Sequence, residues 1–146
     1  MAAIEPPPIV AGYVPSFEPY VRSGNQLYLS GRVAKKDGAL WRGKLGAQLT
    51  SAEGKEAARG IAVELIATLR AALGDLDRVT RIVRLLVMVN ATPEFEEPHV
   101  VANGASELLL EVFGERGKHA RSAFCAAQLP FGVCVEIEMM AEVDAG

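Results

Sequence analysis

The run VCVEIEMMAEV, from Val133 to Val143, constrains the fold of this chain more than any other stretch. Successive side chains of a strand point to opposite faces. Val133, Val135, Ile137, Met139 and Ala141 therefore share one face, and Cys134, Glu136, Glu138, Met140 and Glu142 share the other. The first face is fit for a core. The second mixes carboxylates with sulfur-bearing side chains, which suits contact with water or with another surface. The fold has to cover one side of a sheet and leave the other for something else.

Two helical stripes are available as cover. In LTSAEGKEAARGIAVELIATLRAALG, Thr50 and Glu53 have the spacing of a capping box, in which each side chain satisfies a backbone N–H of the other residue. Ala58, Ile61, Ala62, Leu65, Leu69, Ala72 and Leu73 follow at helical spacing, and Gly74 is placed to end the helix. In PHVVANGASELLLEVFGE, Val101, Ala105, Leu108 and Val112 step by four and three, Leu109 and Phe113 widen the stripe, and Gly114 closes it. Asn103-Gly104 prefers a hairpin turn and conflicts locally with this helix; it reads as a tolerated helix glycine.

The remaining segments read as strands and turns. Residues 1–23, with three consecutive prolines, form an extended arm. Gly24-Asn25 is a turn, and Leu27, Tyr28 and Leu29 make a short strand expected to end at Ser30-Gly31. KKDGALWRGK is a tight hairpin, with Asp37-Gly38 supplying the positive φ of a type I′ turn. RVTRIVRLLVMVNA is a long strand bounded by the Asn90 to Pro93 breakers, and RSAFCAAQL precedes the final strand. The expectation is one α+β domain over residues 1–146, a mixed β-sheet with two α-helices packed on one face. Two helices cannot cover a sheet twice, so the other face is expected to meet water or another copy of the chain.

Composition narrows the functional classes. A chain of 146 residues, half of them apolar and 23% charged, can bury a core without staples. A net charge of -3 gives no basic stripe for a phosphate backbone, so nucleic acid is a disfavoured partner. No apolar run reaches the roughly 20 residues that span a bilayer, and the N-terminus lacks a secretory pattern; a cytoplasmic location and no membrane contact are expected. Cys125 and Cys134 sit in apolar runs and are expected to be free core thiols. His99 and His119 are far apart in sequence and no Cys-x-x-Cys exists, so no metal is expected.

Two charges interrupt the apolar strands: Arg121 opens one and Glu136 lies inside the next. Taken singly, such residues are usually solvated or ion-paired. Together, on strands expected to be adjacent, they suggest a small, dry, polar site.

LYLSGRV, HARSAFCAAQLP and VEIEMMA, with the helices between them, resemble the RidA/YjgF family of imine deaminases, also labelled L-PSP endoribonucleases. The resemblance runs from about Pro15 to Val143 and is similar to the branch with a longer N-terminal arm. It implies a chorismate mutase-like fold and a homotrimer with a central barrel and ligand clefts between subunits. It implies that Arg121 grips the carboxylate of a 2-imino acid and that Glu136 positions and deprotonates the attacking water. Burial would raise the Glu136 pKa and Arg121 would lower it.

Ser30, Gly31 and the main chain at Ala123 are implied substrate-binding positions. Phe17 stands where many members carry a tyrosine, with Tyr13 and Tyr20 on either side, so Tyr20 is the candidate to supply the missing hydroxyl. The implied activity is hydrolytic deamination of imino or enamino acids to 2-keto acids and ammonia, without a cofactor. A non-catalytic module binding a small carboxylate is the alternative, and RNA cleavage the weaker one.

Overall fold

The computed structural model describes residues 5–146; of the expected arm, residues 1–4 lie outside the described residues. Strand β1 (Tyr20–Ser23) turns at Gly24-Asn25 into β2 (Gln26–Val33). A small hairpin follows, β3 (Lys35–Lys36) and β4 (Ala39–Leu40), in which Asp37 and Gly38 both have positive φ, 52° and 79°. This is the backbone that the Asp-Gly pair predicts. Then come α1 (Ser51–Leu73), β5 (Val79–Asn90), α2 (Pro98–Phe113), β6 (Ala120–Ala126) and β7 (Val135–Val143).

The main sheet has the order β1-β2-β7-β5-β6, with β5 and β6 parallel and the other pairs antiparallel. Two expectations are corrected here. Ser30-Gly31 does not end its strand. β2 continues to Val33, and between Leu29, opposite Met139, and Arg32, opposite Ile137, it carries one residue more than β7, which is a bulge. The last four residues of the expected arm are also in the sheet, as its edge strand β1. Ser30-Gly31 reads locally as a stop, whereas pairing with distant β7 carries the chain onward; residues 20–23 read as arm, whereas the Gly24-Asn25 turn folds them back onto β2 as a hairpin.

Both halves of the capping box are formed at α1: Thr50 Oγ1 accepts from the Glu53 N–H at 3.2 Å, and Glu53 Oε1 accepts from the Thr50 N–H at 3.1 Å. Ala58, Ile61, Ala62, Leu65, Leu69 and Leu73 are buried, against the same sheet face that Leu27, Leu85, Val87, Ile137 and Met139 present. Each fully buried aliphatic side chain of this kind contributes about 1.5–3 kcal/mol. From α2, Val101, Ala105, Leu108, Leu109 and Phe113 join them, while Val112 stays exposed in the last turn. The opposite sheet face leaves Val21, Tyr28 and Phe124 exposed. Among the described residues, no helix is long and apolar enough to cross a membrane.

Cys134 departs from the alternation of the final run. It precedes β7, donates its N–H to Trp41 O at 2.9 Å, and is fully buried, which pushes its thiol up to about 11. Cys125 is half-buried on β6, and both are free thiols.

Gly104 is more than a tolerated helix glycine. A Cβ added there would lie 2.0 Å from the Lys55 carbonyl oxygen, so α1 and α2 touch backbone to backbone at this point. Gly104→Ala should force the helices apart and lower stability by about 1–3 kcal/mol. Urea unfolding measures this, and an unchanged midpoint would contradict the close approach.

Candidate functional site

Arg121 is the second residue of β6 and pairs with Leu85, a core residue, so it shares the helix-covered face. Its side chain meets a polar stripe on α2: His99, Asn103 and Ser106, spaced four and three apart. Nη1 donates to Asn103 Oδ1 at 2.9 Å and to Ser106 Oγ at 3.1 Å, and Nη2 donates to the His99 carbonyl at 3.3 Å. A guanidinium has five N–H donors. Three are satisfied, which leaves Nε–H and one Nη2–H, on neighbouring nitrogens, with no partner among the described residues. Two such donors match the two oxygens of a carboxylate. Partial burial lowers the Arg121 pKa from its ordinary value, but a guanidinium stays charged through the whole working range.

Glu136 lies on the opposite face. It pairs with Met88 across β5 and borders a cavity of about 310 Å3 that also touches Ile9, Tyr13, Phe17, Gly31 and Phe131. The bulge brings Gly31 so close that a Cβ there would sit 3.0 Å from Glu136 Oε2. Tyr13 and Phe131 meet edge to face, with centroids 5.6 Å apart and planes at 76°. Phe131 holds a left-handed backbone, φ 61°, which for a non-glycine residue costs roughly 1–2 kcal/mol. The turn bearing it is tied down by buried Asn90, whose Nδ2 donates to Val133 O at 3.1 Å and Gln128 Oε1 at 2.9 Å. Burial, and then the neighbouring charge of Glu138, hold the Glu136 carboxyl above the usual carboxylate range.

The expected adjacency of the two charges fails. β5 lies between β6 and β7, and the residues opposite Arg121 and Glu136 on β5 are Leu85 and Met88. The two Cα atoms are therefore separated by two strand spacings, roughly 10 Å, and by three residues along the strand, roughly another 10 Å. They also face opposite sides. Within one chain they do not share a site, because β7 inserts into the middle of the sheet while β6 stays at its edge.

Sequence and structure comparisons bear on the family and the fold. Residues 1–143 match the family model described as "YjgF/chorismate mutase-like, putative endoribonuclease". The chain belongs to the YjgF/chorismate mutase-like family. It is 50% identical over 139 residues to protein TCP17 of Trypanosoma cruzi, covering 94% of this chain and 87% of that one. A crystal structure of unknown function from Agrobacterium tumefaciens is 42% identical, with a TM-score of 0.84 and coverage of 94% and 85%. A "putative endoribonuclease" from Shewanella oneidensis is 36% identical, with a TM-score of 0.87 and coverage of 95% and 92%. RidA from a Psychrobacter species, 23% identical over 98% of this chain and 100% of that one with a TM-score of 0.63, shares the fold.

The other site positions implied by YjgF/RidA membership divide as follows. Gly31 and Phe17 border the Glu136 cavity. Ser30 does not offer its hydroxyl there, because Oγ donates to the Glu18 carbonyl at 2.6 Å. Tyr20 packs against the main core from β1, so Tyr13 brings the phenol to this cavity and Tyr20 does not. Ala123 pairs with Val87 on the covered face, on the side of Arg121. Among the described residues, no three of His, Cys, Asp and Glu gather to hold a metal ion.

Sequence reasoning missed Asn103 and Ser106, although their helical spacing from His99 was visible. It also missed Arg32. Fully buried, Arg32 donates through Nη2 to Thr68 Oγ1 at 3.0 Å and through Nη1 to the Pro7 carbonyl, with Glu64 4.0 Å away. Lys35 Nζ bonds Glu64 Oε1 at 2.9 Å and the Pro8 carbonyl at 3.0 Å. Prolines lack an N–H but keep their acceptors, so this pair pins the arm and lays Ile9, Tyr13 and Phe17 beside Glu136.

Because burial raises the Glu136 pKa, the folded chain binds that proton more tightly than the unfolded chain does. This residue's contribution to stability should thus fall as pH rises from the ordinary carboxylate range through the raised folded value. Glu136→Gln should remove that part of the slope and raise the melting temperature at pH 7 but not at pH 4. Parallel melting curves for parent and variant across this range would contradict the assignment.

Proposed function

We propose that this protein hydrolyses 2-imino and enamino acids to 2-keto acids and ammonia, in clefts between copies of the chain arranged as a homotrimer. The observation that carries the reading is the Arg121 fork: three donors fixed by α2 and two neighbouring donors without a partner. A planar 2-imino carboxylate fits that edge, and the fixed partners keep the guanidinium from following its ligand into solvent.

Hydrolysis then needs a base. Water adds its hydroxyl to the imine carbon as its proton passes to Glu136, which hands that proton to the imine nitrogen to give a neutral carbinolamine. Glu136 then relays the carbinolamine hydroxyl proton to the amino nitrogen as the carbon–nitrogen bond breaks, releasing ammonia and the 2-keto acid. A carboxylate with a raised pKa is suited to take and return a proton in this sequence. Since Arg121 and Glu136 of one chain point to opposite faces, the reading requires Glu136 from a neighbouring copy. The exposed apolar side chains Val21, Tyr28 and Phe124 on the open sheet face support such an assembly.

A carboxylate-binding role without chemistry is the second reading, favoured by the fact that the Arg121 fork is complete without Glu136. Some relatives are described as endoribonucleases, but the net charge of -3 argues against RNA as the ligand here.

The test is ammonia release from 2-iminopropionate and 2-iminobutyrate generated in situ, with the oligomer mass measured by light scattering. Glu136→Gln should slow turnover by about 10²–10⁴. Arg121→Ala should abolish saturation by substrate, and Arg121→Lys should not restore it, because an ammonium cannot reproduce the fork. An Arg121→Ala protein working at the parent rate would overturn the reading. Saturable 2-ketobutyrate binding without ammonia release would favour the binding module.

A further inference from the structure

Between α2 and the start of β6, a cavity of about 300 Å3 is lined by Ser106, Leu110, Lys118, His119 and Arg121. Deamination as described uses Arg121 and, as one of the partners that fix its guanidinium, Ser106; Leu110, Lys118 and His119 have no part in it. Ser106 Oγ lies 2.9 Å from His119 Nε2, and His119 Nδ1 lies 2.6 Å from the Gly117 carbonyl. A carbonyl can only accept, so Nδ1 carries the ring proton in the neutral imidazole. Nε2 is then left as the acceptor for the serine hydroxyl. Ser106 Oγ also accepts from Arg121 Nη1 at 3.1 Å. The serine proton thus points at a base while its oxygen faces a fixed cation.

A serine in the middle of a helix commonly bonds back to its own i−4 carbonyl or points to solvent. Ser106 instead bonds across to two side chains from the β6 region, and both it and His119 are half-exposed to the cavity. Nucleophile, base, orienting group and a nearby electrophilic donor are the parts required of a serine hydrolase site; here a main-chain carbonyl takes the orienting place usually held by a carboxylate.

We propose that Ser106 is a nucleophile activated by His119, acting on a short acyl ester that carries a negative charge. Oγ bonds to the acyl carbon as its proton passes to Nε2, and the carbonyl electron pair becomes an oxyanion beside Arg121. Collapse breaks the carbon–oxygen bond to the alcohol, which leaves with the proton from Nε2. Water repeats the two steps on the acyl-serine and releases the acid. The charge preference comes from Arg121 and Lys118 in the lining, of which Lys118 is partly engaged by Glu115 at 2.8 Å. Leu110 gives a short acyl chain its apolar wall.

The experiment treats the full-length protein with a fluorophosphonate probe, locates the adduct by peptide mass spectrometry, and follows p-nitrophenol release from mono-p-nitrophenyl succinate and p-nitrophenyl acetate. The expected result is a single adduct on Ser106, absent in Ser106→Ala, formed about 10²–10⁴ more slowly in His119→Ala, with the succinate ester hydrolysed faster than the acetate. His119→Asn, which keeps a donor toward the Gly117 carbonyl, should be as slow as His119→Ala and guards against a folding artefact. No adduct on Ser106, or the same rate with either His119 variant, would overturn the proposal. Ammonia release is measured separately on the same parent preparation, so labelling without deamination, or the reverse, shows which of the two activities has failed.

Discussion

The sheet has five strands and two faces, and the chain brings helices to only one of them. α1 and α2 cover that face tightly because Gly104 lets their backbones meet at Lys55. Everything functional follows from this one-sided cover. The polar stripe of α2 is held against the sheet edge, where it fixes Arg121. The opposite face keeps Glu136, and Val21, Tyr28 and Phe124 are exposed elsewhere on that same face.

The N-terminal arm plays a comparable part for Glu136. Its proline carbonyls accept hydrogen bonds from Arg32 and Lys35, both of which also approach Glu64 of α1. A buried guanidinium is costly unless its donors are met, and here the arm meets one of them. The arm is thereby coupled to the core, and its apolar side chains, with strained Phe131, form the wall that withdraws Glu136 from water.

Features set by neighbours in sequence were legible in the sequence. Thr50 with Glu53, the α1 stripe, Asp37-Gly38 and the alternation of β7 each depend on a few residues within one turn or one strand, and each is found where its pattern placed it. Features set by pairing between distant segments were not. Nothing local in RSAFCAAQL or VCVEIEMMAEV announces that β5 lies between them, so Arg121 and Glu136 were placed side by side when they occupy opposite faces. Ser30-Gly31 reads as a stop because the β7 register that makes it a bulge lies more than a hundred residues away in sequence. Arg32 in an alternating strand gives no hint of the prolines and Glu64 that accept it. Asn103 and Ser106 could have been recovered by asking of polar residues the periodicity question that was asked only of apolar ones.

The central claim is that Arg121 of one copy and Glu136 of another complete a single site. It is tested most directly by co-refolding Arg121→Ala and Glu136→Gln chains in equal amounts and measuring 2-iminobutyrate hydrolysis. Each variant alone should be inactive. In random cyclic assemblies, about one site in four combines an intact arginine with an intact glutamate, so the mixture should recover roughly a quarter of the parent activity. A mixture no more active than its components would contradict a site built from two copies.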